Sequence, residues 1–259
     1  MDFQVKGKLA YISAGSTGIG EAIANLLTKE GAKVIVSARN PDTLKEKGSA
    51  WHGTVSADIA TSQGVQKAVD YVLSAFGRAP DILINNLGVG DSNPFEEITD
   101  EMWAKSVQVN LMGTVRTCRA LMPLMAKLGG AAVVNTGSDL AKQPEFTLMD
   151  YGACKAAMLY ISKALSKQYA GRVRVNVIAP GPVYTAMFSR PGGIVDQVAE
   201  QYGVDRETAL KRFLEDRQMA LGMPDPVDVA HAAVFLASPL AKFINGSIID
   251  IGGTLRGLI

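Results

Sequence analysis

The alternation of short apolar runs with helical patterns constrains the fold of this chain more than any other feature. Between the apolar runs lie amphipathic stretches, such as Ile19–Leu27, with apolar residues at helical spacing. Strands that are apolar on both faces are typical of a parallel sheet covered by helices on both sides. The predicted strands are Leu9–Ser13, Val34–Ser37, Ile82–Asn85, Ala131–Asn135, Val173–Ile178 and Ile248–Ile251, with a weaker one at Thr54–Ala57.

Composition and charge narrow the expected partners. The 259 residues are 47% hydrophobic, enough for one large domain over residues 1–259, and no linker or break in composition divides them. The net charge is +1 and basic residues are interspersed with acidic ones, so neither nucleic acid nor an anionic membrane is an expected partner. No apolar run has the length of a membrane span, and the N-terminus lacks a signal-peptide core. We therefore expect a small-molecule substrate.

The cysteines and histidines argue against a disulfide and a metal site. Cys118 and Cys154 are far apart, without a C-x-x-C spacing, which is typical of a reduced, cytoplasmic protein. His52 and His231 have no other metal ligands clustered beside them in the sequence, so no metal is expected.

A glycine-rich loop follows the first predicted strand and opens the first predicted helix. It consists of Ser13-Ala14-Gly15-Ser16-Thr17-Gly18-Ile19-Gly20. Glycines at such a turn let backbone N–H groups approach a pyrophosphate, while the helix N-terminus faces the negative charge. Tight strand–helix turns also use glycine, but the position after the first strand favours a dinucleotide site at residues 15–20.

The same loop has an alternative interpretation as the nucleophile elbow of a serine hydrolase. Ala14-x-Ser16-x-Gly18 is a variant of that motif, which also requires a histidine and an acid. His231 falls within a predicted amphipathic helix, Pro226–Ala237, and is better explained as a core or surface residue. The elbow would also lie on the first strand, without a preceding oxyanion loop, so the hydrolase is disfavoured.

The end of the second predicted strand bears on the choice of cofactor. NAD-binding folds place an acid there to bind the ribose 2′-hydroxyl, whereas this chain has Ser37-Ala38 followed by Arg39. A guanidinium at this position suits a 2′-phosphate, so NADP(H) is expected in preference to NAD(H). Arg39 could also be an ordinary exposed arginine, and the missing acid is the stronger indication. Further on, Asp58 could bond the adenine edge or serve as a turn residue.

Polar residues after the fourth strand and within a long helix form a second group. Asn85-Asn86-Leu87-Gly88 ends the strand, where amides can frame a cofactor pocket or form a turn. Residues 99–128 are predicted to form one helix, with Asn110 midway and a kink at Pro123. Asn110 lies between apolar neighbours, so it must be hydrogen-bonded if it faces inward.

A tyrosine and a lysine four residues apart carry the most informative chemistry. In Tyr151-Gly152-Ala153-Cys154-Lys155 the two side chains share one helical face, and the helix-forming run Ala156–Tyr169 ends at Gly171. A nearby ammonium lowers the pKa of a phenol towards working pH, so this tyrosine can exchange a proton with a carbonyl or alcohol oxygen. Ser138, after the fifth strand, can face the same crevice at the carboxyl edge of the sheet. Taken alone, each has an ordinary explanation as a surface or loop residue.

Together these motifs resemble the short-chain dehydrogenase/reductase family over essentially the whole chain. The resemblance implies an α/β fold with a Rossmann-type, doubly wound sheet of seven parallel strands ordered 3-2-1-4-5-6-7 and helices on both faces. It also implies a homotetramer or homodimer that packs through the helices containing Asn110 and Tyr151. The motifs, in order and at the family's spacing, are the loop at 13–20, an NNAG-like stretch at 85–88, Asn110, Ser138, Y-x-x-x-K at 151–155, and Pro180-Gly181 with Thr185.

The resemblance also implies roles for individual residues. Tyr151 would be the general acid/base, Ser138 would orient the reacting oxygen, and Asn110 would position a water in a proton relay. Lys155 would lower the pKa of Tyr151 and hold the nicotinamide ribose. The other implied cofactor contacts are Asp58 at the adenine with its neighbour Ile59, Asn86 beside the cofactor, and Pro180, Gly181, Val183 and Thr185 at the nicotinamide.

Two departures from the family pattern concern the cofactor and the substrate. The family's Thr-Gly at the start of the loop is Ser13-Ala14 here, and the methyl group of Ala14 could crowd the phosphates or shift the loop. The alanine of NNAG is Leu87, a larger group expected beside the site, where it could reshape the substrate pocket. Neither departure falls on the four residues of the implied catalytic tetrad, Asn110, Ser138, Tyr151 and Lys155.

Residues 186–223 are expected to form a helical lid, because a segment at this place covers the substrate in the family that the chain resembles. Asp196–Tyr202 and Asp205–Ala220 are predicted helices, with Pro191-Gly192-Gly193 as a hinge. A closing lid would exclude water from the reaction. Candidates for an apolar lining are Met187, Phe188, Met219 and Leu221, although packing explains each at least as well.

The sequence as a whole predicts an NADP(H)-dependent oxidoreductase that moves a hydride between nicotinamide and a carbonyl or secondary alcohol, of the 3-oxoacyl, ketone or polyol type. The alternative from another class is a non-catalytic dinucleotide-binding sensor on the same fold. Retention of all four tetrad residues, Asn110, Ser138, Tyr151 and Lys155, favours the enzyme.

Overall fold

Seven parallel strands form one sheet across residues 2–252, the part of the chain that the computed structural model describes, the side chain of Met187 apart. Their order is β3-β2-β1-β4-β5-β6-β7, so the predicted topology and the doubly wound α/β class are confirmed. Each predicted strand overlaps an observed one. The strands are β1 (Leu9–Ser13), β2 (Lys33–Ala38), β3 (Gly53–Ser56), β4 (Ile82–Asn85), β5 (Ala131–Thr136), β6 (Val173–Pro180) and β7 (Ile248–Ile251).

Helices connect the strands and cover both faces of the sheet. They are α1 (Gly18–Lys29), α2 (Pro41–Lys47), α3 (Ser62–Phe76), α4 (Asp100–Val107), α5 (Gly113–Leu128), α6 (Met149–Gln168), α7 (Ala186–Ser189), α8 (Ile194–Tyr202), α9 (Arg206–Asp216) and α10 (Pro226–Ala237). Helix α2 is not among the predicted elements, although Asn40 caps it by accepting from Asp42 N and Pro41 occupies its first turn. Asn-Pro at a helix start is the signal that predicts such a helix.

Two apolar cores lie on opposite faces of the sheet. In β1, Ala10 and Ile12 belong to the core beneath α1 and α10, whereas Tyr11 between them belongs to the core beneath α3 and α5. All three side chains are fully buried. Alternate residues of a strand point to opposite faces, and here both faces are covered, which explains why the strands have continuous apolar sequences.

The predicted single helix over residues 99–128 is interrupted, so that prediction was wrong in detail. Between α4 and α5, Gln108–Met112 form a π-helical segment that contains Asn110. The hydrophobic pattern is nearly the same for α and π turns, and the contacts of Asn110 described below select the wider turn. Helix α5 continues past Pro123 to Leu128.

The segment predicted as a lid has a small apolar cluster of its own. Phe188, Val195, Phe213 and Met219 are buried together there, so Phe188 and Met219 have the packing role. Leu221 is 88% exposed, and the side chain of Met187 lies outside the described atoms. The two predicted helices correspond to α8 and α9, of which α9 ends earlier than predicted. Closure of this segment over a substrate stays a prediction.

Within residues 2–252, no helix is both long and apolar enough to cross a lipid bilayer. The same residues contain no group of three side chains arranged as metal ligands. Cys118 and Cys154 are free and buried.

Candidate active site

The structure brings Ser138, Tyr151 and Lys155 together at the carboxyl edge of the sheet. Ser138 follows β5 and caps the short 3-10 turn Asp139–Ala141, which packs against α6. Tyr151 and Lys155 lie one turn apart in the first part of α6. Because parallel strands end at the same edge, a residue after β5 and one at the start of α6 reach the same crevice.

Lys155 is fully buried and anchored to two strand ends. Its Nζ atom donates to the carbonyl of Thr136 at 2.9 Å and to that of Leu87 at 3.1 Å. A Cβ atom on Gly88 would lie 3.1 Å from this Nζ, so glycine lets the backbone approach the lysine. Burial, which disfavours the charged form, lowers the pKa of Lys155 to about 8.

The pKa of Tyr151 differs from the expectation that Lys155 lowers it. Tyr151 as a whole is partly exposed, but its hydroxyl lies in dense surroundings, and burial raises its pKa to about 12. The Ser138 hydroxyl acts in the opposite direction and favours the phenolate, and the charge of Asp139 raises the pKa further. Burial is the largest cause, and Lys155, whose Nζ lies 5.5 Å from the centre of the phenol ring, does not offset it.

Asp139 is a neighbour of the tetrad that the motifs do not predict. The Ser138 hydroxyl donates to Asp139 Oδ1 at 3.0 Å, and Leu140 N donates to the same oxygen at 2.8 Å. Burial raises the pKa of this carboxyl, while its hydrogen bonds and the charge of Arg217 lower it. The available signal in the sequence is an acid directly after a strand-end serine.

Asn110 faces inward and is fully hydrogen-bonded, as its apolar neighbours require. Its Oδ1 accepts from Val89 N at 2.8 Å, and its Nδ2 donates to Val89 O at 2.9 Å and to Ser106 Oγ at 3.1 Å. The side chain thus holds the loop after β4 against the π-helical segment. Ser106 is a further contributor, recognisable in the sequence only by its position one helical turn before Asn110. That Asn110 positions a water stays a prediction.

The glycine-rich loop is shaped for a close backbone approach. Gly18 has a φ of +56°, and a Cβ on Gly20 would lie 2.6 Å from Asn86 Nδ2, so neither position accepts a larger residue without strain. Thr185 lies beside the loop, since a Cβ on Gly18 would be 3.3 Å from its Cγ2. Of the other predicted residues, Gly15 and Ser16 are buried, Thr17 is exposed and Ile19 packs against the core.

Ala14 adopts a left-handed backbone conformation, with a φ of +53°. This is the position where the family has glycine, and the methyl group makes the conformation unfavourable. Asn86 holds the turn in place by donating to Ala14 O at 3.1 Å and accepting from Thr136 Oγ1 at 3.2 Å. Asn86 therefore ties the loop to the ends of β4 and β5.

Two cationic side chains lie on the adenosine side of the predicted site, one exposed to solvent and one paired with a glutamate. Arg39 is exposed directly after β2, while the Ser37 hydroxyl turns inward to Tyr11 at 2.9 Å. Lys47 on α2, absent from the predicted set, donates to Glu21 at 2.7 Å and approaches Ser16 O at 3.4 Å. Two cationic side chains thus lie near the end of β2.

Asp58 and Ile59 have structural roles in the described residues. Asp58 Oδ1 accepts from Ala60 N at 3.0 Å, which is the turn role considered from the sequence. The Ile59 side chain is 2% exposed and belongs to the core beneath α3 and α5. Their contacts with a cofactor stay predictions.

On the nicotinamide side, the predicted residues follow the end of β6. Pro180 ends the strand, and Gly181 N donates to Ile251 O at 2.8 Å. A Cβ on Gly181 would lie 3.4 Å from Asp139 Oδ2, so this strand end adjoins the turn after β5. Val183 is buried in the core beneath α1.

The histidines do not occupy the positions that the hydrolase interpretation requires. The half-buried Leu87 side chain packs on α5, where its Cδ2 lies 3.0 Å from a Cβ built on Gly113, and its effect on a substrate pocket stays a prediction. His52 stacks on Phe76 with ring centres 5.9 Å apart, and His231 is exposed on α10. Ser16 therefore has no histidine partner within residues 2–252.

The residues present fit a dinucleotide. The first turn of α1 carries no side-chain cap from its N-cap Thr17, so its N–H groups are available to an anion. The glycines beside it admit a close ligand, and Thr185 adjoins the loop at Gly18. Lys155 lies at the ends of β4 and β5 through its bonds to Leu87 O and Thr136 O.

Comparisons with known proteins agree with this geometry. Residues 13–254 match the family described as enoyl-(acyl carrier protein) reductase. The chain is 34% identical over 266 residues to D-threitol dehydrogenase of Mycolicibacterium smegmatis, covering 98% of this chain and 96% of that one. It is 30% identical to 3-oxoacyl-(acyl-carrier-protein) reductase of Thermotoga maritima, covering 97% and 99%. L-sorbose reductase from Gluconobacter frateurii, solved with NADPH and L-sorbose, superimposes with a TM-score of 0.92 at 33% identity over 100% of both chains.

Proposed function

The chain belongs to the short-chain dehydrogenase/reductase family of oxidoreductases, and from that premise we propose that it transfers a hydride between NADP(H) and a carbonyl or secondary alcohol, with Tyr151 as general acid/base. The observation that carries the proposal is the placement of Ser138, Tyr151 and Lys155 at one crevice beside the glycine-rich loop. A sensor on the same fold needs to bind the cofactor but does not need a tyrosine placed to exchange a proton, so this placement favours the enzyme.

The bound nicotinamide would supply the hydride, and the chain would hold and orient it. The loop at residues 15–20 and the N-terminus of α1 would bind the pyrophosphate, while Lys155 and Thr185 would flank the nicotinamide ribose. Arg39 would bind a 2′-phosphate, which supports NADP(H) over NAD(H), as does the NADPH bound by L-sorbose reductase.

Tyr151 would exchange the proton with the reacting oxygen. A phenol whose pKa is raised to about 12 is protonated at neutral pH, so it can donate to the oxygen of a carbonyl that receives a hydride. Oxidation of an alcohol is the reverse of the same step, in which the phenolate accepts the proton.

We also propose an oligomeric state, a location and a domain organisation, each from one observation. Tyr160 is 79% exposed on α6, the helix that carries Tyr151, which supports a homo-oligomer, a tetramer or a dimer, packed through that helix. Two free, buried cysteines support a cytoplasmic location. A single sheet supports one domain with a lid at about residues 186–223.

The test is Tyr151→Phe, assayed by NADPH oxidation with a panel of ketones and by NADPH fluorescence titration. Turnover should fall by roughly a hundredfold to ten-thousandfold, the range for loss of a general acid, while the Kd for NADPH is retained. Tyr160→Phe, on the exposed face of the same helix, is the matched control and should keep turnover. Full activity in Tyr151→Phe would defeat the proposal, and a wild type that binds NADPH without reducing any ketone would favour the sensor.

A further inference from the structure

We propose that Asp139 selects substrates with a hydroxyl group next to the reacting carbonyl, which makes hydroxyketones and the corresponding polyols the substrate class. This inference rests on the proposed function, because it takes Ser138 and Tyr151 as the groups that receive the carbonyl oxygen. It assigns to this chain a specificity-determining residue outside the tetrad.

The first step is the position of the carboxylate relative to the catalytic groups. Asp139 Oδ1 lies 3.0 Å from Ser138 Oγ and is fixed there by Leu140 N at 2.8 Å. The charge of Asp139 also raises the pKa of Tyr151, which places the carboxylate close to the phenol. To receive a carbonyl oxygen, Ser138 has to turn its single O–H away from Asp139 Oδ1, and an oxygen bound there would lie next to this carboxylate.

The second step is the direction in which the carboxylate faces. Its other oxygen, Oδ2, lies on the side of Gly181, where an added Cβ would be only 3.4 Å away. Gly181 follows the end of β6, the predicted nicotinamide side of the crevice. Asp139 thus lies between Ser138 and the end of β6. If Ser138 receives the carbonyl oxygen and the end of β6 borders the nicotinamide, as proposed, this is the position of a group that meets the carbon atoms attached to the carbonyl.

The third step concerns the charges around Asp139. The nearby cations are engaged by other acids: Arg217, at the end of the lid helix α9, pairs with Glu145 at 3.6 Å, and Lys142 pairs with Asp250. The carboxylate of Asp139 instead accepts hydrogen bonds from the Ser138 hydroxyl and from Leu140 N. Its acceptor capacity is therefore not consumed by a salt bridge.

The chemistry then favours a hydroxylated substrate. A carboxylate offers four lone-pair sites, and an apolar substrate that covers it removes water without replacing the lost hydrogen bonds. A hydroxyl one carbon from the carbonyl restores such a bond. Sites built to hydrogen-bond a substrate hydroxyl discriminate strongly against the analogue that lacks it, because the buried polar group is left unpaired.

The experiment compares hydroxyacetone with acetone, which differ by one hydroxyl group at the carbon next to the carbonyl. With NADPH in excess, the wild type should show a kcat/KM for hydroxyacetone at least about tenfold higher than for acetone. Asp139→Ala should reduce this ratio by about tenfold or more, mainly through a higher KM for hydroxyacetone. Asp139→Asn keeps one acceptor oxygen, so its ratio should fall between the two.

Asp150→Asn is the matched control, since it removes a carboxylate one residue before Tyr151 and should leave the ratio unchanged. If Asp139→Ala lowers both substrates equally, Asp139 acts only by positioning Ser138, and the inference is overturned. A wild type that reduces apolar ketones but not hydroxyacetone overturns it too, while the proposed function stands. A wild type that binds NADPH and reduces no carbonyl overturns the proposed function itself.

Discussion

The Nζ atom of Lys155 lies 5.5 Å from the centre of the Tyr151 ring and donates to the backbone carbonyls of Leu87 and Thr136. The lysine therefore faces the phenol and at the same time joins α6 to the ends of β4 and β5. Because burial disfavours its charged form, Lys155 leaves a signature in the pH dependence of stability.

Lys155→Met should remove a pH-dependent contribution to stability. The unfolded chain keeps this proton up to the ordinary pKa of 10.5, whereas the folded chain releases it near 8. Between these values the unfolded state binds more protons, so the contribution of Lys155 to the free energy of unfolding rises with pH. That contribution is lost as pH falls through 8. The free energy of unfolding of the wild type minus that of Lys155→Met should rise by about 1 kcal/mol per pH unit from pH 8 to 10.

Urea titrations of both proteins at several pH values measure this difference. Lys167→Met, an exposed lysine on the same helix, should show no slope against the wild type. A pH-independent difference for Lys155→Met would contradict the lowered pKa of the buried lysine.

Ala14→Gly should stabilise the protein. The φ of +53° at Ala14 costs an L-residue about 1 kcal/mol, and glycine avoids this cost. Glycine also makes the unfolded chain more flexible, which cancels part of the gain. We expect a net gain of roughly 0.5 kcal/mol, seen as a higher midpoint of urea unfolding. Gly18→Ala, at a φ of +56°, should change the midpoint in the opposite direction. A lower midpoint for Ala14→Gly would show that the methyl group makes favourable contacts.

Arg39→Ala should reduce the preference for NADPH. Charge-assisted hydrogen bonds to a phosphate contribute about 1.5–3 kcal/mol, so the Kd for NADPH should rise by roughly ten- to a hundredfold while that for NADH changes little. Fluorescence titration with both cofactors gives the two values. Lys45→Ala, an exposed cation on α2, controls for a general loss of positive charge. Equal weakening of both cofactors would exclude a specific 2′-phosphate contact.

Asn110→Ala should destabilise the protein and slow turnover together. The substitution leaves the N–H and C=O of Val89 without the partners they have at 2.8 and 2.9 Å, and each unpaired buried group costs about 1–3 kcal/mol. Calorimetry and NADPH oxidation measure the two effects. Ser106→Ala removes only one bond to Asn110 and should be milder. Asn93→Ala, which removes a local bond to Asp91 O at 3.1 Å, should have no comparable effect. A fully stable Asn110→Ala would show that the loop after β4 is held by other contacts.

The parallel sheet and the gathering of Ser138, Tyr151 and Lys155 could be predicted from the sequence pattern, whereas the strand order was implied by the family resemblance. Apolar runs with turn residues between them fix the strands, and parallel strands bring their carboxyl ends to one edge, so residues that follow β4, β5 and β6 must converge. The spacing of Tyr151 and Lys155 then fixes their shared helical face. These features depend on local pattern and on topology alone.

Other features depend on contacts between distant residues and could not be predicted. The pKa of Tyr151 is raised mainly by burial, and the loop at Gly88 and Gly90, far away in the sequence, packs against this side chain. The π-helical segment follows from the bonds between Asn110 and Val89. Asp139 looks like any loop acid until its carboxylate is seen beside Ser138.

The small apolar cluster of the lid, formed by Phe188, Val195, Phe213 and Met219, is separate from the two cores that support the sheet. A substitution inside this cluster therefore acts first on neighbours within the segment and not on the two cores. On the proposal that the segment covers the substrate, it is a replaceable module: evolution or an engineer could exchange it to change which molecules are accepted, while the cores that position Tyr151 and Lys155 are inherited unaltered.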